Sequence, residues 1–317
     1  MNKVLFKYLE TMQPISTDTI PLLEQYLYQV KWDGVRIIAH IGGQKVWLHN
    51  RRFKERTFHY PELKKLSQLV KGDAILDGDL VAFQQGKPNF PLLLKRDLLN
   101  PNASAFAYKI KRLMKEIPVY YLVFDLLYHN GFDLRQKPLW ERQGILQEIL
   151  TTDDTVNCVE SFSDGESLFQ VVTAQKLEGV VAKAKDSHYI AGKKHRLWWK
   201  IKRRQQLLVA IGGYTEKNGQ INALLVGAYF QNRFFYLGRV ATGLSNQDLV
   251  ILNSYLKAMT TDKSPFVNLP QAAKSYKWVI PQLTVLINFQ EWTEDMRMRQ
   301  PVIQGFTKNR PEECILS

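Results

Sequence analysis

The sequence predicts an α+β protein of two domains, a mixed first domain over residues 1–203 and a small β-barrel over residues 204–317. Three observations predict it. Strand-like and helix-like apolar spacings are interleaved through the first two thirds of the chain. Short, glycine-punctuated strands take over after residue 204. At 317 residues the chain is long enough for about two ordinary domains. An apolar fraction of 45% supplies a sizeable core and excludes a disordered chain.

The elements follow in order. Tyr28–Val30, Val35–Ile41 and Val46–Leu48 read as strands, with Gly42-Gly43 as a turn. Pro61–Val70 has helical spacing at Leu63, Leu66 and Leu69-Val70, ending before Gly72. Phe106, Ile110, Leu113 and Ile117 repeat at helical spacing, with Lys109, Lys111, Arg112 and Lys115 as a solvated basic side. The apolar run Val119–Leu127 is short and interrupted by Asp125, so it predicts a buried strand and not a membrane span. Beyond Arg203-Arg204, Leu207–Ile211, Ala223–Phe230, Phe234–Val240 and Val285–Phe289 read as short strands of a small barrel such as the OB-fold.

Charge points to the partner. There are 43 basic and 30 acidic residues, a net charge of +13, which favours a polyanion, nucleic acid before membrane. Lys183–Arg204 holds nine basic residues against one acid, Asp186, and is the strongest electrostatic footprint. Cys158 and Cys314 stand far apart, so neither a disulfide framework nor a zinc site is expected, in keeping with a reducing cytoplasm. The N-terminal residues carry no secretory pattern. His40, His49, His59, His129, His188 and His195 share no metal-ligand spacing.

The chemistry concentrates at Lys31-Trp-Asp-Gly-Val-Arg36, a K-x-D-G-x-R hexad. It joins a nucleophilic amine to a carboxylate, a glycine and a phosphate-gripping arginine. Its four fixed letters arise by accident in roughly one of 500 chains of this length. Downstream, in order, come Leu76-Asp-Gly-Asp-Leu80, Phe124-Asp-Leu-Leu-Tyr128, Glu178-Gly-Val-Val-Ala-Lys183 and Trp199-Lys-Ile-Lys202. This order resembles the covalent nucleotidyltransferases, which include DNA ligases, RNA ligases and mRNA capping enzymes. Leu48-His-Asn-Arg-Arg-Phe53, Phe58–Leu63, Gly238–Leu244, Trp278–Pro281 and Phe289–Asp295 narrow it. Together they resemble a compact, two-domain ATP-dependent DNA ligase of the bacterial end-joining type, over roughly residues 10 to 313.

The resemblance implies a nucleotidyltransferase domain of the ATP-grasp-like adenylation kind, followed by an OB-fold. It implies ATP and Mg2+ as cofactors and nicked duplex DNA as partner, for a cytoplasmic monomer whose two core domains grip the DNA. Lys31 would be the adenylated nucleophile, with Asp33 near the reacting 3′-hydroxyl. Arg36 and Arg51 would contact phosphates, Phe124 would stack on adenine, and Gln29 and Asp79 would complete the nucleotide site. Glu178, with Asp79, would bind the metal. Lys183, Lys200 and Lys202 would neutralise the α-phosphate. Lys193, Lys194, Arg196, Arg203 and Arg204 would hold DNA through its phosphates, independently of sequence. Strand alternation puts Lys200 and Lys202 on one face and Trp199 and Ile201 on the other.

Three positions depart from the family pattern. Asp79 and Gln29 stand where glutamate is usual, and Thr307-Lys-Asn-Arg310 stands where R-x-D-K is usual. The last change predicts weaker self-adenylation, because a bidentate arginine is not reproduced by Thr307. An RNA ligase or capping-type enzyme stays open as an alternative, as does a ligase-fold nucleic-acid-binding protein with impaired self-adenylation.

Overall fold

The computed structural model describes residues 4–21, 24–269, 275–290, 292–293 and 295–316; Glu291 and Glu294 of the Phe289–Asp295 segment lie outside them. The chain divides into two compact units, Met1–Arg203 and Arg204–Ser317.

The first unit holds strands β1 (Gln13–Ser16), β2 (Tyr26–Lys31), β3 (Val35–Gly42), β4 (Lys45–Asn50), β5 (Ala74–Gln84) and β6 (Lys87–Pro88). They are followed by β7 (Val119–His129), β8 (Phe132–Asp133), β9 (Val156–Cys158), β10 (Gly179–Ala184) and β11 (Lys194–Lys202). Its helices are α1 (Leu66–Leu69), α2 (Phe90–Asp97), α3 (Phe106–Glu116), α4 (Leu139–Ile149) and α5 (Gly165–Ala174). A seven-stranded sheet runs β4-β3-β5-β7-β8, with β6 on β5 and β9 on β7. A four-stranded sheet runs β1-β11-β10-β2. The Pro61–Val70 segment is tighter than a single α-helix: Pro61–Lys65 is 3-10, led by a proline at its start, and only Leu66–Leu69 is α-helical.

Alternation along the strands builds layers. Ile37, Ala39 and Ile41 of β3, with Leu76 and Leu80 of β5, pack with Leu63, Leu66, Leu93, Leu113 and Leu146 on the outer face of the large sheet. Tyr26 and Tyr28 of β2, Val180 and Ala182 of β10 and Ile201 of β11 pack on Leu168 and Val172 of α5. The remaining faces of the two sheets meet in a third cluster, where Ile38, Ile75 and Phe124 touch Tyr189 and Trp198. His40 and His49 are structural: both are buried, and they accept backbone N–H groups of Phe6 and Leu9 at 3.1 and 3.3 Å. Burial holds both imidazoles below their ordinary range, His40 down to about 3.

The second unit holds β12 (Gln205–Lys217), β13 (Gln220–Phe230), β14 (Arg233–Val240), α6 (Asn246–Ala258), β15 (Thr260–Thr261), β16 (Lys277–Val279), β17 (Thr284–Phe289) and β18 (Val302–Thr307). One edge of β12 pairs with β13; its other edge pairs first with β17 and then with β16. Such a shared long strand curls the sheet around one core, which contains Val209, Ile211, Leu224, Leu237, Val285 and Ile303. This is the OB-type barrel that the strand spacing predicts. A Ser245–Asp248 capping box starts α6.

Candidate active site

Sheet register assembles the site. Strand β10 lies between β2 and β11, antiparallel to both, with Gly179 opposite both Lys31 and Lys202. Val181 stands opposite Gln29 and Lys200. Side chains opposite one another share a face, so Gln29, Lys31, Lys183, Trp198, Lys200 and Lys202 turn away from α5 together. Glu178, one residue before β10, accepts from both flanking lysines: Lys31 Nζ donates to Oε2 at 2.7 Å and Lys202 Nζ to Oε1 at 2.8 Å.

Gly179 has a steric role in that arrangement. A Cβ there would lie 2.1 Å from the Ile201 carbonyl oxygen, and at Gly34 one would lie 2.3 Å from the Leu80 carbonyl oxygen. Gly179→Ala should therefore push β10 from β11 and pull Glu178 off Lys202. On the expectation from the motif order that Lys31 accepts a nucleotide, its covalent labelling should fall roughly 100-fold, the scale of an ångström-sized misplacement. Labelling at parent rates in a folded variant would sink this view.

The opposite wall comes from the large sheet. Strand β7 carries a bulge there: Val123 stands opposite Gly78 and Asp125 opposite Asp77, leaving Phe124 as the extra residue. A bulge re-aims a side chain without ending the sheet, and the Phe124 ring reaches the cavity between the sheets. That cavity measures about 660 Å³, and Gln29, Lys31, Arg36, Arg51, Asp79, Phe124, Lys183 and Lys200 all line it. Its size suits a nucleotide-sized ligand.

Electrostatics sorts these groups. Burial pushes the Lys183 amine down to about 7, against the pull of Asp125. Its Nζ has no hydrogen-bond partner among the described residues and sits 4.0 Å from the Phe124 ring centre and 4.3 Å from that of Trp198. Burial also lowers Lys200, helped by the charges of Lys31, Lys202 and Lys194. For Glu178 burial acts upward, but Lys31 and Lys202 outweigh it and hold the carboxyl below its usual range. Burial raises Asp79 despite Arg36 and Lys31, and the charges of Asp77 and Glu178 add to the rise. A cluster of cations, one without a partner, around an aromatic ring is equipped to receive an anionic aromatic ligand.

Arg36 is tied to the cavity wall. It lines the cavity, but its guanidinium is bound twice to the buried Asp77, at 2.7 and 2.5 Å, and stacks 4.8 Å over Phe124. Tyr189 also donates to Asp77, at 2.6 Å. Asp33 lies in the turn between β2 and β3 and is not among the residues lining the cavity. Lys193, Lys194, Arg196 and Arg204 are exposed, whereas Arg203 is half-buried and donates to the Leu177 carbonyl at 3.3 Å. Lys194 and Arg196 lie on the same strand β11, beyond an irregularity in its pairing between His195 and Trp199. Sequence reasoning assigned no role to Asp77, Tyr189 or Trp198. Trp198 carried a usable signal, since it alternates in phase with Lys200 and Lys202.

Known proteins match this arrangement over nearly the whole chain. The family model described as "ATP dependent DNA ligase domain" matches residues 10–202, and "ATP dependent DNA ligase C terminal region" matches residues 217–310. A multifunctional non-homologous end joining protein, LigD of Mycolicibacterium smegmatis, is 29% identical over 301 residues, covering 92% of this chain and 37% of its own length. A DNA ligase of Hyperthermus butylicus is 32% identical over 292 residues, covering 84% of this chain and 46% of its own. The chain thus spans less than half the length of these relatives. A solved mycobacterial DNA ligase D complexed with ATP and MES superposes with a TM-score of 0.54 at 28% identity, covering 98% of each chain. With both family models matched in order, the first unit is the nucleotidyltransferase domain, the second is the OB-fold domain, and the chain belongs to the ATP-dependent DNA ligases.

Proposed function

We propose that the chain seals nicks in duplex DNA in three steps, beginning with attack of the Lys31 amine on the α-phosphate of ATP. One observation carries this reading: Lys31 lines a nucleotide-sized cavity together with Phe124, Lys183 and Lys200, while Glu178, which also accepts from Lys202, holds its amine end. In the first step Lys31 leaves Glu178 and gives its proton to water; its lone pair then attacks the α-phosphorus, and the P–N bond of a phosphoramidate forms as the P–O bond to the departing pyrophosphate breaks. Lys183, Lys200 and Lys202 neutralise charge that builds on the α-phosphate. Phe124 stacks on the base, Gln29 reaches the base edge, and Asp79 approaches the ribose. AMP then passes to the 5′-phosphate of the nick, and the 3′-hydroxyl, positioned near Asp33, displaces it.

Glu178 and Asp79 are hard carboxylate donors that would hold a magnesium ion: Asp79 lines the cavity, Glu178 lies close enough to raise its pKa, and the ion would take the place of the lysines on Glu178. When bound, the ion would supply charge neutralisation at the phosphates. Arg51 would meet phosphate at the cavity mouth, and Arg36 would do so by exchanging its grip on Asp77. Lys193, Lys194, Arg196, Arg203 and Arg204 would carry the DNA backbone. The likeness to LigD supports end joining as the task, performed by a monomer in the cytoplasm.

The Thr307–Arg310 element favours a second reading, in which the first step is slow. Thr307 Oγ1 lies 2.6 Å from Thr284 Oγ1, Asn309 donates to Glu313 at 2.6 Å, and Arg310 Nε lies 3.4 Å from the same carboxylate. These groups are turned to structural partners.

Incubation with α-labelled ATP and magnesium tests both. A denaturation-stable label that Lys31→Ala removes supports the main reading. No label, but closure of a pre-adenylated nick, supports the second. Failure of both, or closure only of RNA-containing nicks, overturns the DNA ligase reading.

A further inference from the structure

A chain of hydrogen bonds runs from the cavity wall to the backbone of its aromatic platform. Gln29 of β2, only 2% exposed, donates from Nε2 to Ser161 Oγ at 3.0 Å. Ser161 donates to Gln143 Oε1 at 3.4 Å, and Gln143 of α4 donates from Nε2 to the Phe124 carbonyl at 3.4 Å.

The end of this chain fixes its direction. A backbone carbonyl can only accept, so Gln143 turns its nitrogen to Phe124 and its oxygen to Ser161. Ser161 has a single proton, given to Gln143, and therefore only accepts from Gln29. Gln29 in turn directs its nitrogen at Ser161. Its Oε1 receives no hydrogen bond from the described residues, and the side chain lines the cavity. A glutamine by itself is ambivalent, because rotation of its amide exchanges donor for acceptor. Here the relay removes that ambivalence and presents an acceptor.

We propose that Ser161 and Gln143 are positioning residues for base selectivity: by fixing the Gln29 amide, they make the site choose a 6-aminopurine over a 6-oxopurine. The amino group of adenine donates to Oε1, whereas an oxo group would set oxygen against oxygen. This deepens the reading of the cavity as the nucleotide site and rests on it. It also accounts for glutamine at position 29, since the relay makes that residue behave as an acceptor, as a carboxylate would.

Covalent labelling of Lys31 should be compared for α-labelled ATP and ITP, which differ in the 6-amino or 6-oxo group and in the N1 proton that accompanies the oxo form. In the parent, ATP should be preferred. In Ser161→Ala and in Gln143→Leu, the ATP-over-ITP ratio of kcat/KM should fall at least about tenfold, the scale of one mispaired polar group. Ser161→Thr, which keeps the hydroxyl, should retain the parent ratio. A merely structural role would depress both nucleotides alike. A labelled parent with an unchanged ratio in Ser161→Ala and Gln143→Leu overturns the relay alone. A parent that takes label from neither nucleotide overturns the relay together with the nucleotide-site reading.

Discussion

Replacing Lys183 with methionine should stabilise the first unit and weaken its proposed chemistry at once. The side chain is 3% exposed and its amine has no hydrogen-bond partner among the described residues. Folding therefore takes a charge out of water, offset in part by two ring faces and by the more distant charges of Asp125, Asp77 and Asp79. The amine titrates at about 7 in the fold against 10.5 ordinarily. Below pH 7 both folded and unfolded chains carry the proton, and the full burial cost falls on the fold. Between pH 7 and 10.5 the unfolded chain holds more protons, so stability rises with pH. Methionine fills a similar volume without that cost. Its gain should be largest below pH 7, about 1–4 kcal/mol by analogy with buried charges replaced by apolar groups. That corresponds to about 2–4 °C in Tm per kcal/mol for a unit of this size. If Lys183 neutralises the α-phosphate as proposed, its loss should cost about 10²–10³-fold in adenylation. Thermal unfolding from pH 6 to 9 checks the first part. A lower Tm at pH 6 would mean that the ring contacts outweigh the burial cost.

The second large effect is expected at Arg142. Its guanidinium and the Asp125 carboxylate are both fully buried and bound twice, at 2.7 and 2.8 Å. The same guanidinium donates to the carbonyls of Lys137, at 2.5 Å, and Ser187, at 2.8 Å. Arg142→Ala strands a buried carboxylate and leaves two carbonyls without their donor. The expected loss is about 3–5 kcal/mol, read from the urea midpoint of the first unit. Leucine at both positions should recover part of it, because the uncompensated charge is gone. A loss below about 1 kcal/mol would show that water replaces the arginine. Asp125 neighbours Phe124 in the β7 bulge, so this pair also braces the aromatic wall of the cavity.

How much was legible depended on distance along the chain. The β3–β4 hairpin, α3 and the facing of Lys200 and Lys202 followed from local alternation or helical spacing. The Asp77–Tyr189 and Gln29–Ser161 contacts span 112 and 132 residues and leave no local pattern. Helix α4 was hidden because one of its buried positions is an arginine, which interrupts the apolar stripe. Helix α6 was hidden for the opposite reason: Val250, Ile251 and Tyr255 are exposed, so apolar residues surround it and no stripe stands out. The bulge that aims Phe124 depends on pairing between β5 and β7, which spacing within either strand does not report.

The pairing of Lys31 with Glu178 gives the resting protein a safety catch. With its Nζ giving a hydrogen to Oε2 at 2.7 Å, Lys31 has to part from Glu178 before that amine can meet anything else. Lys202 holds the other oxygen of the same carboxylate, so a change at either lysine is felt by the other, and Glu178 works as a clasp between the two strands that flank β10.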